Sequence, residues 1–162
     1  MRTAVIRFLA VAAAFVALAA NPRVGHSQLR TVRTVSAEAA RRAIDSAAAE
    51  ARRNGWNVSI AVVDQSGELV AFLRMDGASS ASVDVARAKA RTSARYRRPT
   101  KALDSALTAG RFPILTLEGA TAVEGGVPII IAGEVVGAVG VSGVTSAQDA
   151  QVARAGAATV TP

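Results

Sequence analysis

The sequence predicts an α+β domain, with antiparallel strands joined as hairpins and helices gathered in separate blocks rather than alternating with single strands. Three stretches carry this reading. Val127–Gly143 reads VPIIIAGEVVGAVGVSG, where two apolar runs, Val127–Ala132 and Val135–Val141, flank a break at Gly133-Glu134, a strong hairpin signal. Trp56–Met75 forms a second hairpin around Asp64-Gln65-Ser66-Gly67, with Asp first and Gly fourth in the turn. Ser36–Asn54 places alanines and Ile44 at helical spacing.

In chain order, residues 1–27 read as an export signal. Arg2 and Arg7 give a basic start, and Phe8–Ala20 is an uncharged apolar run of 13 residues. A bilayer span needs about 20 residues, whereas a secretory apolar region is of this length. Ala17-Leu18-Ala19 and Gly25-His26-Ser27 both have small residues at the positions a signal peptidase reads. The mature chain is therefore expected in the periplasm or secreted, without stable membrane insertion. Residues 28–35 form a flexible lead, and residues 36–162 the folded domain.

Ser36 caps the first helix and Glu38 lies in its first turn. Ala40, Ala43, Ile44, Ala47, Ala48 and Ala51 make its inward stripe, and Asn54-Gly55 ends it. In the first hairpin Trp56, Val58, Ile60 and Val62 share one face, and Glu68–Met75 returns. Asp76–Ser80 breaks the pattern. A helix then starts near Ser80 or Ser82 and runs to about Arg97, with Val83, Ala86, Ala90, Ser93 and Ala94 inward. Arg87, Arg91, Arg95 and Arg98 follow at steps of four, four and three on its exposed face. Pro99 interrupts it, and a shorter helix covers Lys101–Ala109.

Phe112–Leu117 is predicted as a third strand, followed by a loop over Glu118–Gly126. In the last strand Gly137, Gly140 and Gly143 recur where branched residues are usual. Each suggests a close approach by a neighbour, most simply a packed helix. Thr145 and Gln148 form a capping box for a last helix that Gly156 stops near Ala155. The order is α-β-β-α-α-β-β-β-α, with five strands.

Composition excludes several chemistries. There is no cysteine, so the domain has no disulfide, thiolate metal site or cysteine nucleophile. Its about 135 residues beyond the signal are enough to bury a core without such staples. The net charge of +7 falls to +4 once Arg2, Arg7 and Arg23 are removed, because 16 basic residues then face 12 acidic ones. With only Trp56, Phe72, Tyr96 and Phe112 as aromatics beyond residue 27, nucleic-acid binding is not expected. The single histidine, His26, falls in or beside the signal, which removes a Ser-His-Asp triad and an imidazole zinc site. Gly137-x-x-Gly140-x-x-Gly143 does not match the dinucleotide fingerprint, and Ser142 lacks a base. Asp64 and Asp76 sit at opposite ends of the hairpin, and turn and cap roles account for Asp76 and Asp84. No catalytic residue is assigned.

AVVDQSGELVAFLRMDGA (Ala61–Ala78), VARAKARTSARYRRPT (Val85–Thr100) and GGVPIIIAGEVVGAVGVSG (Gly125–Gly143), with Gln148-Asp149 after them, resemble the GlcG/HbpS family. The resemblance runs over roughly Ser36 to Gly156 and extends to the C-terminal domain of PduO-type proteins, fused to a corrinoid adenosyltransferase. It implies a profilin-like fold with a five-stranded antiparallel sheet flanked by helices. Members are described as haem-binding proteins, some exported and assembled as octamers, others encoded beside small-acid catabolism genes. The resemblance thus implies haem as cofactor, self-association into a homo-oligomer up to an octamer, and a small flat or anionic ligand. Lys89, in AKART, corresponds to the family's helix lysine. Met75, Lys89, Thr92, Tyr96 and Arg98 are the candidate ligand-binding residues, with the arginine row available to propionates. Two alternatives stay open: a small-organic-acid-binding enzyme or catabolic accessory, and a structural oligomer without ligand.

Overall fold

The structure, a computed structural model, describes residues 31–162. The predicted export signal, residues 1–27, and the first residues of the predicted lead lie outside that range. Helix α1 spans Ala37–Arg53, β1 Ser59–Asp64, β2 Leu69–Arg74, α2 Ala81–Tyr96, α3 Thr100–Thr108, β3 Gly126–Ile131, β4 Glu134–Ser142 and α4 Ser146–Ala157. The four strands form one antiparallel sheet in the order β2-β1-β4-β3. Helices α1 and α4 pack against one another and cover one face of it, and α2 lies on β4, β1 and β3 from the other side.

The fold class is as predicted, but the described sheet has four strands and not five. Phe112–Thr116 is a 3-10 helix instead of a strand. Pro113 sits in its first turn, where a missing N–H is tolerated, and the N–H groups of Ile114 and Leu117 bond back to Arg111 and Ile114. Apolar content had suggested a strand, yet Phe112 and Leu115 are 67% and 69% exposed and only Ile114 is buried. The last helix also passes through Gly156. That glycine marks a close helix crossing, since a Cβ there would stand 2.7 Å from Ala43 O on α1.

The two faces are built differently. Towards α1 and α4 the core is branched: Val58, Ile60, Val62, Ile129, Val139 and Val141 meet the alanine stripe of α1. Towards α2 it is nearly all alanine, with Ala61, Val63 and Ala138 under Ala86, Ala90 and Ala94. Gly126 and Gly140 are register partners on that thin face. A Cβ on either would run into the backbone of α2, at Lys89 and at Ala86 and Ala90. The glycines therefore let the helix axis come down onto the strands.

Two local features complete the frame. The β3–β4 connection is Ala132-Gly133, both left-handed at φ 50° and 80°, as a two-residue turn that follows the strand twist requires. The bulge beside Val135 leaves Val136 out of the β3 ladder, and its carbonyl accepts the Val35 N–H at 2.9 Å. The end of the lead is thereby held on β4. Among the described residues no helix is long and apolar enough to cross a membrane.

Candidate functional site

Helix α2 carries three of the five predicted residues, Lys89, Thr92 and Tyr96, and each of its sides does different work. Its inward side is the alanine row on Gly126 and Gly140. Lys89 leaves that row towards α4. It is 1% exposed, and its ammonium donates to Asp149 Oδ2 at 2.8 Å and to Val141 O at 3.1 Å. Asp149 is as deeply buried and also accepts the Val144 N–H at 3.2 Å. Burial raises its pKa above the ordinary carboxylate value, and the Lys89 partner offsets only part of that rise. Gly125 leaves the space the amine occupies, for a Cβ there would stand 2.8 Å from Nζ. This ion pair ties α2 to α4, helices that cover opposite faces of the sheet.

Thr92 and Tyr96 hold the loop that follows the 3-10 turn. The buried Thr92 hydroxyl donates to Gly119 O at 3.3 Å and accepts the Thr121 N–H at 2.9 Å. Tyr96 Oη donates to Glu118 O at 2.8 Å. Helix α3 secures the far end of the same loop. Thr100 Oγ1 accepts Gly126 N–H at 2.9 Å, Asp104 Oδ2 accepts Glu124 N–H at 2.9 Å, and Lys101 pairs with Glu124 at 3.0 Å. A loop with no regular structure is thus fixed at five residues to two helices.

Thr92→Val keeps the side-chain shape but removes both of its bonds. It is expected to cost about 1–3 kcal/mol, since two hydrogen bonds are lost and their partners are left unpaired, and to speed amide exchange at Thr121. Exchange there as slow as in the parent would show that Thr92 does not hold the loop.

The outward side of α2 borders an open cavity of about 400 Å³. Asp84, Arg87, Ala88 and Arg91 line it from the helix, Gly67, Glu68 and Leu69 from the first hairpin, and Gly119–Thr121 from the held loop. Arg91 Nη2 reaches Glu68 Oε1 at 2.9 Å, both side chains being largely exposed. Arg95 continues the row over Gly67 and Gly119.

The five candidate residues are therefore only partly brought together. Thr92 and Tyr96 carry the cavity wall, and Lys89 lies beneath the loop's end. Arg98 is exposed and donates from Nε to Tyr96 O at 3.1 Å. Met75 follows the end of β2 and is not among the residues that line this cavity. It borders a second cavity of about 320 Å³ with Arg52, Asn57, Leu73, Arg74 and Asp76. Sequence reasoning left out Asp149 as the lysine's partner and Glu68 and Leu69 as lining. Their only signals were the Gln148-Asp149 motif and the hairpin turn.

Comparison with known proteins agrees with this architecture. The family model described as haem degrading protein, HbpS-like, matches residues 35–158. Protein GlcG of Escherichia coli strain K12 is 44% identical over 93 residues, which is 57% of this chain and 69% of that protein. Streptomyces reticuli HbpS, solved as a double mutant, superposes with a TM-score of 0.78 at 34% identity, over 87% of this chain and 97% of that one. Klebsiella pneumoniae protein ORFY gives a TM-score of 0.77 at 28% identity, over 82% and 94%.

Proposed function

The chain belongs to the HbpS-like family, and on that premise we propose that it binds haem or a related flat anionic tetrapyrrole in the cavity beside α2. The observation that carries this is the pairing of Arg87 and Arg91 one turn apart on a rigid helix, facing an open cavity with Leu69, Ala88 and Ala120 as its apolar wall. Guanidinium groups so placed suit propionate carboxylates. Haem supplies redox-active iron when bound, and the chain's part is to hold the ring.

The residues fit the ring's carboxylates and do not fit its iron. Ordinary protein ligands to haem iron are His, Cys, Met and Tyr, and the cavity lining contains none of them. Tyr96 uses its hydroxyl on Glu118 O, Lys89 is closed in its ion pair, and Met75 faces another cavity. His26 lies outside the described residues. Binding is accordingly read as reversible and weak. Thr92 and Tyr96 act by holding the wall, Lys89 by seating the helix that carries the arginines, and Arg98 by bonding to the Tyr96 backbone.

Titration with haemin is expected to shift the Soret band at micromolar protein. The Arg87→Ala/Arg91→Ala variant should bind about tenfold more weakly, the scale of one charge-assisted hydrogen bond. An unchanged spectrum at those concentrations would end this reading. The lack of an iron ligand favours a second one, in which the same arginines hold a small organic acid. A thermal shift with small carboxylates and no haemin response would put it in place of the first.

Two further proposals concern the setting. The basic start and the Phe8–Ala20 run support export, which N-terminal sequencing of the secreted product would test; an uncleaved product would count against it. Outward Phe112, Leu115 and Ile130 support self-association, and a monomeric mass by light scattering at tens of micromolar would remove it.

A further inference from the structure

The cavity beside α2 offers guanidinium groups but none of the side chains that ordinarily ligate iron. We infer that it recognises the carboxylate edge of the ring and is indifferent to the metal, so that a metal-free dicarboxylate porphyrin binds as well as haem. This rests on the cavity being the tetrapyrrole site proposed above.

The charges around the cavity are unequal in availability. Arg87 has no ion-pair partner among the described residues. Arg91 is held by Glu68, a carboxylate of the same chain standing where a ligand carboxylate would stand. Asp84 is the other acid of the lining. Because the Arg91–Glu68 pair is largely exposed, it is worth no more than about 1 kcal/mol, and an incoming carboxylate can exchange for Glu68. Arg87 is then the first contact and Arg91 the second, one helical turn along. Two propionates leave one edge of a tetrapyrrole together, whereas the ring face and its centre would meet Val63, Leu69, Ala88 and the Gly119–Thr121 segment. Nothing in that lining distinguishes an iron-filled centre from an empty one.

Glu68 consequently acts as a built-in competitor. Glu68→Gln removes the competing charge while keeping the turn, and should tighten both porphyrins by up to about fivefold, the equivalent of an exposed ion pair.

The test compares haemin, metal-free protoporphyrin and the dimethyl ester of protoporphyrin on the intact protein, by absorption and by porphyrin fluorescence. Haemin and the free-acid porphyrin are expected to bind within about threefold of each other, with the ester at least about tenfold weaker. Arg87→Ala should weaken the first two alike, and its position on the outer face of α2 keeps the fold out of the comparison. Haemin binding more than about tenfold tighter than the metal-free acid, or an ester as tight as the acid, would overturn the inference while leaving the haem-binding reading intact. Failure of all three to bind would overturn that reading itself.

Discussion

Lys89→Ala is expected to destabilise the domain by about 3–5 kcal/mol, the cost of stripping one partner from a buried ion pair. The reason lies with what remains. Asp149, 2% exposed in the parent, would lose its counter-ion, and Val141 O would lose its donor. Urea unfolding at neutral pH reads the loss as a lower midpoint at unchanged slope. The paired variant Lys89→Met/Asp149→Asn discriminates the cause. It removes both charges, and the asparagine oxygen still accepts the Val144 N–H that Asp149 now takes. Removing a buried pair together is often close to neutral, so this variant should recover at least half of the single-variant loss. A Lys89→Ala variant within about 1 kcal/mol of the parent, well below the range for such pairs, would mean that the amine is not locked. Lys89 would then be open to a ligand after all.

That lysine shows where sequence reading succeeds and where it stops. Lys89 stands out in the sequence because AKART resembles the segment that carries the family's helix lysine. Its partner is 60 residues later on another helix, a pairing that no local pattern reports. The hairpins and the α1 stripe were legible because their signals are periodic and short-ranged, with Val58, Ile60 and Val62 alternating as a strand must. Phe112–Leu117 misled because apolar content alone does not separate a buried strand from a turn with exposed side chains, and Pro113 was the local sign that decided it. The arginine row was legible as an exposed face. That it borders a cavity depends on Glu118–Gly126, whose course is set by Thr92, Tyr96, Thr100 and Asp104 reaching it from two helices. Loop walls built by distant side chains leave no spacing to read.

The glycine rhythm of the last strand gives the second large effect. Gly140→Ala is expected to cost about 3 kcal/mol or more, at the upper end for overpacking, and to lower the melting temperature by roughly 10 °C for a domain of this size. The atoms a Cβ would meet are Ala86 O and the Ala90 backbone, and the surrounding side chains are alanines with nothing to rotate away. Only the helix itself can yield. Displacing α2 would pull Lys89 from Asp149 and shift Arg87 and Arg91 relative to the loop, so ligand binding should weaken along with stability. Because the obstruction is backbone, adding Ala86→Gly and Ala90→Gly would relieve nothing, and glycine in a helix interior costs about 1 kcal/mol each besides. Rescue by those two changes would show that side-chain crowding governs the contact. A Gly140→Ala variant as stable as the parent would show that α2 does not sit directly on β4, and the route from the glycine strand to the arginine cavity would be broken at its first step.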